Sequence, residues 1–436
     1  MTRRTFLTAA EAAAALGVRL PTLYAYVSRG LLRSEPGAGG RGRRYPAADV
    51  EALRQRSAIR RDPPRAVRQA LDWGAPVLDS ALTSIAGGRL FYRGEDAVEL
   101  ARRGESLERV AALLWLGRLD APLPAPAPWR LAALPRLEAE LAASRAWRPF
   151  QRMQVWLPLA TAEDPGAYDL RPAAVVAAGA WLLPLLATLA AGTTRGLRDA
   201  PAAPEGMRAA AVLARAWAPA EGGATDADAY AGTGAAAELA RLLDLVLVLS
   251  ADHELNVSAF TARCVASAGA PPQAAVAAGL QALGGVRHGG QAERVEALLA
   301  ELAAPAAGGS IRDRLAARLR RGEEIPGFGH RLYLEGDPRA RLLLDVAAAR
   351  RPVPLVAELA AEVAAAAFDL LHERPNLDFG LVTLAQALGL PAGAPMALFA
   401  VGRSAGWIAH VLEQIADGRL IRPRARYIGP QCPSEQ

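Results

Sequence analysis

From residue 70 onward the chain is a succession of Ala- and Leu-rich amphipathic segments, cut by Pro and Gly clusters at 120–128, 163–168 and 219–234. Period-two strand patterns are scarce. Each segment has one apolar stripe to bury, and without a sheet to cover, the stripes must pack on one another, which predicts a mainly α fold around one core. A chain of 436 residues with 52% hydrophobic side chains can bury enough surface for two or three domains. Charged residues interrupt the apolar stretches, so no run is expected to reach the roughly 18–20 apolar residues of a membrane span. The N-terminus lacks the basic, apolar, small-residue order of a secretory signal, so the expected compartment is the cytoplasm, with no membrane partner. Cys264 and Cys432 form neither a disulfide framework nor a paired metal spacing. There is no G-x-x-x-x-G-K loop and no strand followed by G-x-G-x-x-G, so no nucleoside triphosphate or dinucleotide cofactor is expected.

Charge divides the chain unevenly. Every one of the 50 basic residues is arginine, and residues 1–65 hold 13 of them against 5 Asp and Glu, while the remainder holds 37 against 39. A basic excess confined to one end points to a polyanion partner for that end. There, Thr8 with Glu11 forms a capping box for a short helix that stops at Gly17, and Pro21 opens a second, with Leu23, Tyr24 and Val27 at helical spacing up to Arg29-Gly30. A loop from Ser34 to Tyr45, carrying Arg41, Arg43 and Arg44, leads to a further helix at Pro46-Ala47-Ala48-Asp49-Val50. This arrangement resembles the winged helix-turn-helix of the MerR and excisionase group over about residues 5–57. The resemblance implies that Thr22, Tyr24, Arg29, Arg41, Arg43 and Arg44 lie at DNA. The bland alternative is a solvated basic loop on a packing module. The expected organisation is residues 1–58 as this module, 59–69 as a Pro-broken linker, and 70–436 as the helical body.

Five histidines are the most informative residues of that body, four of them beside other polar groups in apolar surroundings. His253 lies in Ser250-Ala251-Asp252-His253-Glu254-Leu255-Asn256, His288 in Arg287-His288-Gly289-Gly290, and His330 in Gly327-Phe328-Gly329-His330-Arg331-Leu332-Tyr333, followed by Asp337-Pro338-Arg339-Ala340. Asp378 lies in Pro375-Asn376-Leu377-Asp378-Phe379. Glycines beside His288 and His330 allow close approach of backbone to a ligand. No two histidines stand one helical turn apart, which argues against a metal site. His410 and His372 read as structural, the latter as a helix-end residue.

The order of these blocks, together with "GRSAGWIAHVLEQ" and "RPRARY", resembles citrate synthase over about residues 72–430. Thr83-Ser84-Ile85, Leu90-Phe91-Tyr92-Arg93-Gly94 and Ser106 to Leu114 match that family's opening helices. The resemblance implies all-helical large and small domains, the small one at about 295–395 closing over the cleft, and active sites formed in a homodimer. It implies condensation of acetyl-CoA or propionyl-CoA with oxaloacetate, the acyl-CoA being substrate and no cofactor being needed. By resemblance Asp378 is the base, His288 the donor to the thioester oxygen, and His330 the group that polarises the keto carbonyl. His253, Asn256, Arg339, Arg403 and Arg422 bind oxaloacetate, Arg422 reaching from the second subunit. These residue types suit the chemistry: a carboxylate can take a weakly acidic proton, a neutral histidine can donate to developing charge, and Arg forks match a dicarboxylate. Ser250, Gln291-Ala292 and Gly380 depart from the family's usual residues, and Gly380, where a large aromatic is frequent, is expected to loosen the surroundings of the base or enlarge the acyl pocket. A citryl-CoA lyase and a DNA-binding regulator sensing oxaloacetate or acyl-CoA stand as alternatives.

Overall fold

Thr8 caps the first helix, Ala9–Leu16, in a full capping box with Glu11, and Gly17 ends it at φ 64°. The second helix, Leu20–Ser28, carries Pro21 in its first turn. These elements belong to a computed structural model that describes residues 6–29, 31–36, 43–47, 49–50, 53, 78–198, 207–218, 234–304, 309–350, 354–425 and 427–430. The chain divides into two units, Met1–Asp79 and Ser80–Gln436. In the first, Ala12, Ala13, Leu16, Leu23, Leu32, Tyr45 and Val50 form a small core. The stretch from Ser34 to Tyr45 is not simply a loop: Glu35–Pro36 and Phe6–Thr8 both pair antiparallel with Arg43–Pro46. The inward-facing Tyr45 pins that strand to the core, which a reading of its arginines alone overlooks. Ala47, Asp49, Val50 and Leu53 are helical, as the sequence suggested. Residues 59–69, the expected linker, lie outside the described residues.

The second unit opens differently from expectation. Thr83–Ala86, Arg89–Tyr92 and Glu95–Asp96 are antiparallel strands, not helices. Gly87 and Gly88 both take positive φ, which a two-residue turn of this hand demands, and Leu90 and Tyr92 alternate into the core. Helix begins only at Ala97–Arg102, capped by Asp96, and Leu107–Leu116, capped by Ser106.

Two apolar cores follow. The larger gathers around Pro172–Ala191, Gly234–Ser250 and the last helix, Ala394–Asp417. Pro172–Ala191 corrects the expectation about apolar runs: at 20 residues it is long and apolar enough to cross a membrane, but 72% of its apolar stretch is buried inside the protein. A helix apolar all round is also what the centre of a large helical core requires. The last helix crosses Gly234–Ser250 so closely that a Cβ on Gly402 would lie 2.5 Å from the Leu247 carbonyl oxygen. The smaller core joins Val295, Leu298, Leu315, Val363, Ala366, Phe379 and Val382. Helix Leu377–Ala387 straddles the two, sending Leu377, Leu381 and Leu384 into the larger and Phe379 and Val382 into the smaller.

Candidate active site

Asp378 sits in the first turn of that straddling helix, behind Asn376, whose side chain caps it by accepting from Asp378 N at 3.1 Å. Its Oδ1 is buried without a hydrogen-bond partner. Burial pushes its pKa up to about 7, against the pull of Arg339 and Arg403, while Asp337 adds to the rise. A carboxyl left in this state is poised to exchange a proton near neutrality.

Two buried guanidinium groups, Arg339 and Arg403, act on Asp378. Arg339 is gripped by Asp337 through Nε to Oδ1 at 3.0 Å and Nη2 to Oδ2 at 2.8 Å, and both side chains are almost fully buried. Burial, the largest single influence, depresses the Arg339 pKa, but Asp337 with Tyr333 and Tyr92 together outweigh it and the net shift is upward. The same carboxylate accepts from Arg339 N and from Leu377 N at 3.1 Å. One side chain thus fixes the arginine and the first turns of both helices, Pro338–Ala349 and Leu377–Ala387. Arg403 is 1% exposed, donates from Nε to the Ser250 carbonyl at 2.8 Å and lies 4.7 Å over the Phe399 ring. Among the described residues no carboxylate is in ion-pair contact with it, and burial lowers its pKa to about 10. A buried cation so poorly neutralised is a receptor for an anion.

The three expected histidines are all neutral at pH 7. Burial, then Arg403, takes His288 down to about 4. Burial, then Arg339, takes His330 down to about 4, with Asp337 opposing. His253 is held well below its usual value by burial first and then by Arg339, Arg403 and His330. The rings of His253 and His330 lie 5.3 Å apart. Leu332 N donates to His330 Nδ1 at 3.1 Å, which puts the proton of the neutral ring on Nε2. None of these three is expected to gain charge between pH 5.5 and 8 in an imidazole NMR titration. A step near the usual value of 6.5 in any of them would contradict the site as described.

Other expected residues are placed less directly. The Asn256 side chain is engaged within its own segment: its Oδ1 accepts from Ser258 N and Ala259 N and lies 2.7 Å from Ser258 Oγ, and its Nδ2 donates to the carbonyls of His253 and Glu254. A helix-capping role uses up its amide, so it serves the site by position. Through Ser258 it reaches His288, whose Nε2 is 2.9 Å from the Ser258 hydroxyl, and Trp407 Nε1 donates to the same oxygen at 3.1 Å. Arg422 is exposed on the chain segment beyond the last helix, next to Ile421, whose N donates to Ser267 Oγ at 3.1 Å. His410 is fully buried with Nε2 3.3 Å from Asp252, and His372 ends helix Leu355–Leu371 at φ 56°, both structural as expected. The glycines beside His330 make room for the chain itself: a Cβ on Gly329 would meet the Glu373 carboxylate at 2.8 Å. Among the described residues no group of three His, Cys, Asp or Glu is placed to hold a metal ion.

Gly380 corrects the expectation of a looser base or a larger acyl pocket. A Cβ there would lie 2.9 Å from Ala340 Cα and 3.0 Å from its carbonyl oxygen, so the backbone of the Arg339 helix fills the space. Gly380→Ala is expected to cost about 1–3 kcal/mol in denaturant unfolding, because backbone must move to admit one methyl group. An unchanged midpoint would show that the two helices are not in this contact.

Residues 70–424 match the family model of the citrate synthase C-terminal domain, and residues 6–58 match that of a helix-turn-helix domain. The chain belongs to the citrate synthase family. A putative citrate synthase 2 of Mycobacterium tuberculosis is 40% identical over 195 residues, covering 43% of this chain and 51% of the relative. Citrate synthase 2 of Bacillus subtilis is 38% identical over 192 residues, 42% of this chain and 50% of the relative. The chain thus spans about half the length of the curated relatives it matches. The solved citrate synthase of Thermotoga maritima superposes with a TM-score of 0.60 at 25% identity, over 83% of this chain and 97% of that one. A ternary complex of the Thermoplasma acidophilum citrate synthase with carboxymethyl coenzyme A and oxaloacetate superposes with a TM-score of 0.65 at 23% identity, over 84% and 99%, and shares the fold.

In the N-terminal unit, Thr22, Tyr24, Arg29 and Arg43 are exposed. Arg44 is half-exposed and engaged within its own module, paired with Glu35 at 2.9 Å and stacked 4.1 Å over Phe6. Arg41 lies outside the described residues.

Sequence reading missed Tyr333, Asp337 and Ser258 as site residues, although the first two sit inside quoted blocks. Their signal was proximity in sequence to His330 and Arg339; what they touch is a tertiary fact.

Proposed function

We propose that this chain condenses an acyl-CoA, acetyl-CoA or propionyl-CoA, with oxaloacetate. The observation that carries this reading is the buried, unsatisfied Asp378 carboxyl in the company of neutral histidines and two buried arginines. Arg339 and Arg403 hold the oxaloacetate carboxylates, and His330 Nε2–H donates to the keto oxygen. Asp378 removes a proton from the carbon beside the thioester carbonyl. The electron pair moves to the carbonyl oxygen, where His288 donates. Ser258 has one hydroxyl proton and two acceptors, Asn256 Oδ1 and His288 Nε2; given to Nε2, it leaves Nδ1–H of His288 as the donor. The enolate carbon then attacks the keto carbon, the keto oxygen takes a proton, and water cleaves the thioester to free CoA. The smaller core packs as a unit of its own beside the larger, and its closure would exclude water until the carbon–carbon bond has formed. Arg422, exposed beyond the last helix, would complete the site of a second copy in a homodimer.

The test is free-thiol release by the purified protein given oxaloacetate with each acyl-CoA in turn. Release that depends on oxaloacetate supports condensation and ranks the acyl donors. A folded protein that releases none with either, but cleaves citryl-CoA, is a lyase instead.

For the N-terminal unit, we propose duplex DNA as partner, supported by its basic excess and by the exposed side chains of Thr22 and Tyr24 on helix Leu20–Ser28 and of Arg29 at its end. Fluorescence anisotropy of the full chain on duplex DNA should show affinity falling steeply with salt; no binding at low salt would end this reading.

A further inference from the structure

Tyr333 is 2% exposed, yet its hydroxyl lies 3.0 Å from His253 Nε2, a contact between segments 80 residues apart. Its ring packs 4.7 Å from the His330 ring and 5.3 Å from the Arg339 guanidinium. The turn that presents it is closed by Tyr333 N on the His330 carbonyl and by Gly336 N on the Tyr333 carbonyl. A polar group is therefore held rigidly among three of the oxaloacetate-binding candidates without being one of them. The proton in the bond to His253 has a preferred home. A phenol is the stronger acid and an imidazole lone pair the stronger base, so O–H donates to Nε2. Burial raises the Tyr333 pKa to about 12, so the phenol keeps that proton across the working range.

We propose that Tyr333 is a positioning residue for oxaloacetate: its hydroxyl donates to His253 Nε2 and so fixes the ring proton of His253 on Nδ1, the nitrogen left to donate to the substrate. Which nitrogen of a neutral histidine carries the proton is set by the bond the other one makes. In the opposite tautomer Nδ1 would present a lone pair to a substrate oxygen, and binding would lose a hydrogen bond and gain a repulsion. The proposal rests on the reading of His253 as an oxaloacetate contact, and it adds the group that makes that contact a donor.

Nitrogen-15 NMR of the imidazole rings in the unaltered protein tests the tautomer directly, with no variant needed. A proton on Nδ1 of His253 and a bare Nε2 is expected; a proton on Nε2 overturns the proposal. Calorimetric binding of oxaloacetate to Tyr333→Phe, which keeps the ring and removes only the hydroxyl, is expected to be weaker by about tenfold, the worth of one hydrogen bond of about 1.4 kcal/mol. The KM for acyl-CoA is expected to stay within about twofold, because the contacts of Tyr333 are to His253, His330 and Arg339, none of which is assigned to acyl-CoA. Equal oxaloacetate affinity in Tyr333→Phe, in a protein that melts at the same temperature, overturns it. The two readings fail separately: thiol release by the unaltered protein with undiminished binding in the variant removes only the role of Tyr333. Oxaloacetate binding without thiol release removes only the condensation reaction.

Discussion

Asp378→Asn is expected to lower kcat by roughly 10³-fold while leaving the KM for oxaloacetate within a few fold, because in the proposed reaction it removes the general base and keeps its shape. The same substitution is expected to make the protein more stable at pH 8. With its folded pKa raised to about 7, the Asp378 carboxyl binds its proton more tightly folded than unfolded. Its contribution to stability is therefore fully present below the unfolded value of about 4, fades as pH rises, and is lost above about 7. Above that pH, holding the buried carboxylate costs on the order of 3–4 kcal/mol, less whatever residual solvent the cleft admits. Asn has no charge to hold. Its melting temperature should exceed that of the unaltered protein at pH 8 and converge with it near pH 4. Activity of the unaltered protein should fall about tenfold per pH unit below about 7 as the base is protonated. His288 and His330 act in the opposite sense: their lowered values give stability above about 6.5 that is lost as pH falls toward 4. They are present in both proteins and cancel in the comparison. A variant no more stable at pH 8 than at pH 4, relative to its parent, would refute the buried-base description even if activity were lost.

Asp337→Ala should do the reverse, destabilising the fold by about 3–5 kcal/mol, since it strands a buried guanidinium. The ion pair is desolvated on both sides, with side-chain exposures of 3% for Arg339 and 0% for Asp337. The loss includes two backbone caps, at Arg339 N and Leu377 N, so the damage is shared by the helices that carry the arginine and the base. Asp337→Asn keeps a cap oxygen but not the charge and should fall between the two. Denaturant midpoints rank the three proteins, and a variant as stable as its parent would mean that Arg339 finds another counter-charge. Asp378 and Asp337 lie on adjoining helices and have opposite expected effects. One carboxylate keeps a buried oxygen without a partner and the other is paired and holds the cation in place.

Much of this architecture was legible in local chemistry. Helix ends announced themselves in the Thr8 capping box and the Gly17 stop, and the His253, His288, His330 and Asp378 blocks named residues that the fold gathers around Arg339 and Arg403. Misreadings came where distant contacts decide. Ile85, Leu90 and Tyr92 are apolar residues that either a helix or a strand can use, and the glycine pair at 87–88 resolves them as a hairpin. Asn256 was read only for its place beside His253, and its side chain also caps the helix Val257–Ser267. Gly380 was read as missing bulk, when the Arg339 helix fills the space.

By itself the sequence determined the residue types of the site, the helical period of the body and the basic bias of its first 65 residues. Composition and spacing carry those properties without reference to any partner. Only the tertiary structure decided which groups are charged, which nitrogen carries a proton and which carboxylate is left without a partner. Those depend on desolvation and on neighbours such as Asp337 with Leu377 or Tyr333 with His253, brought together from segments 40 and 80 residues apart.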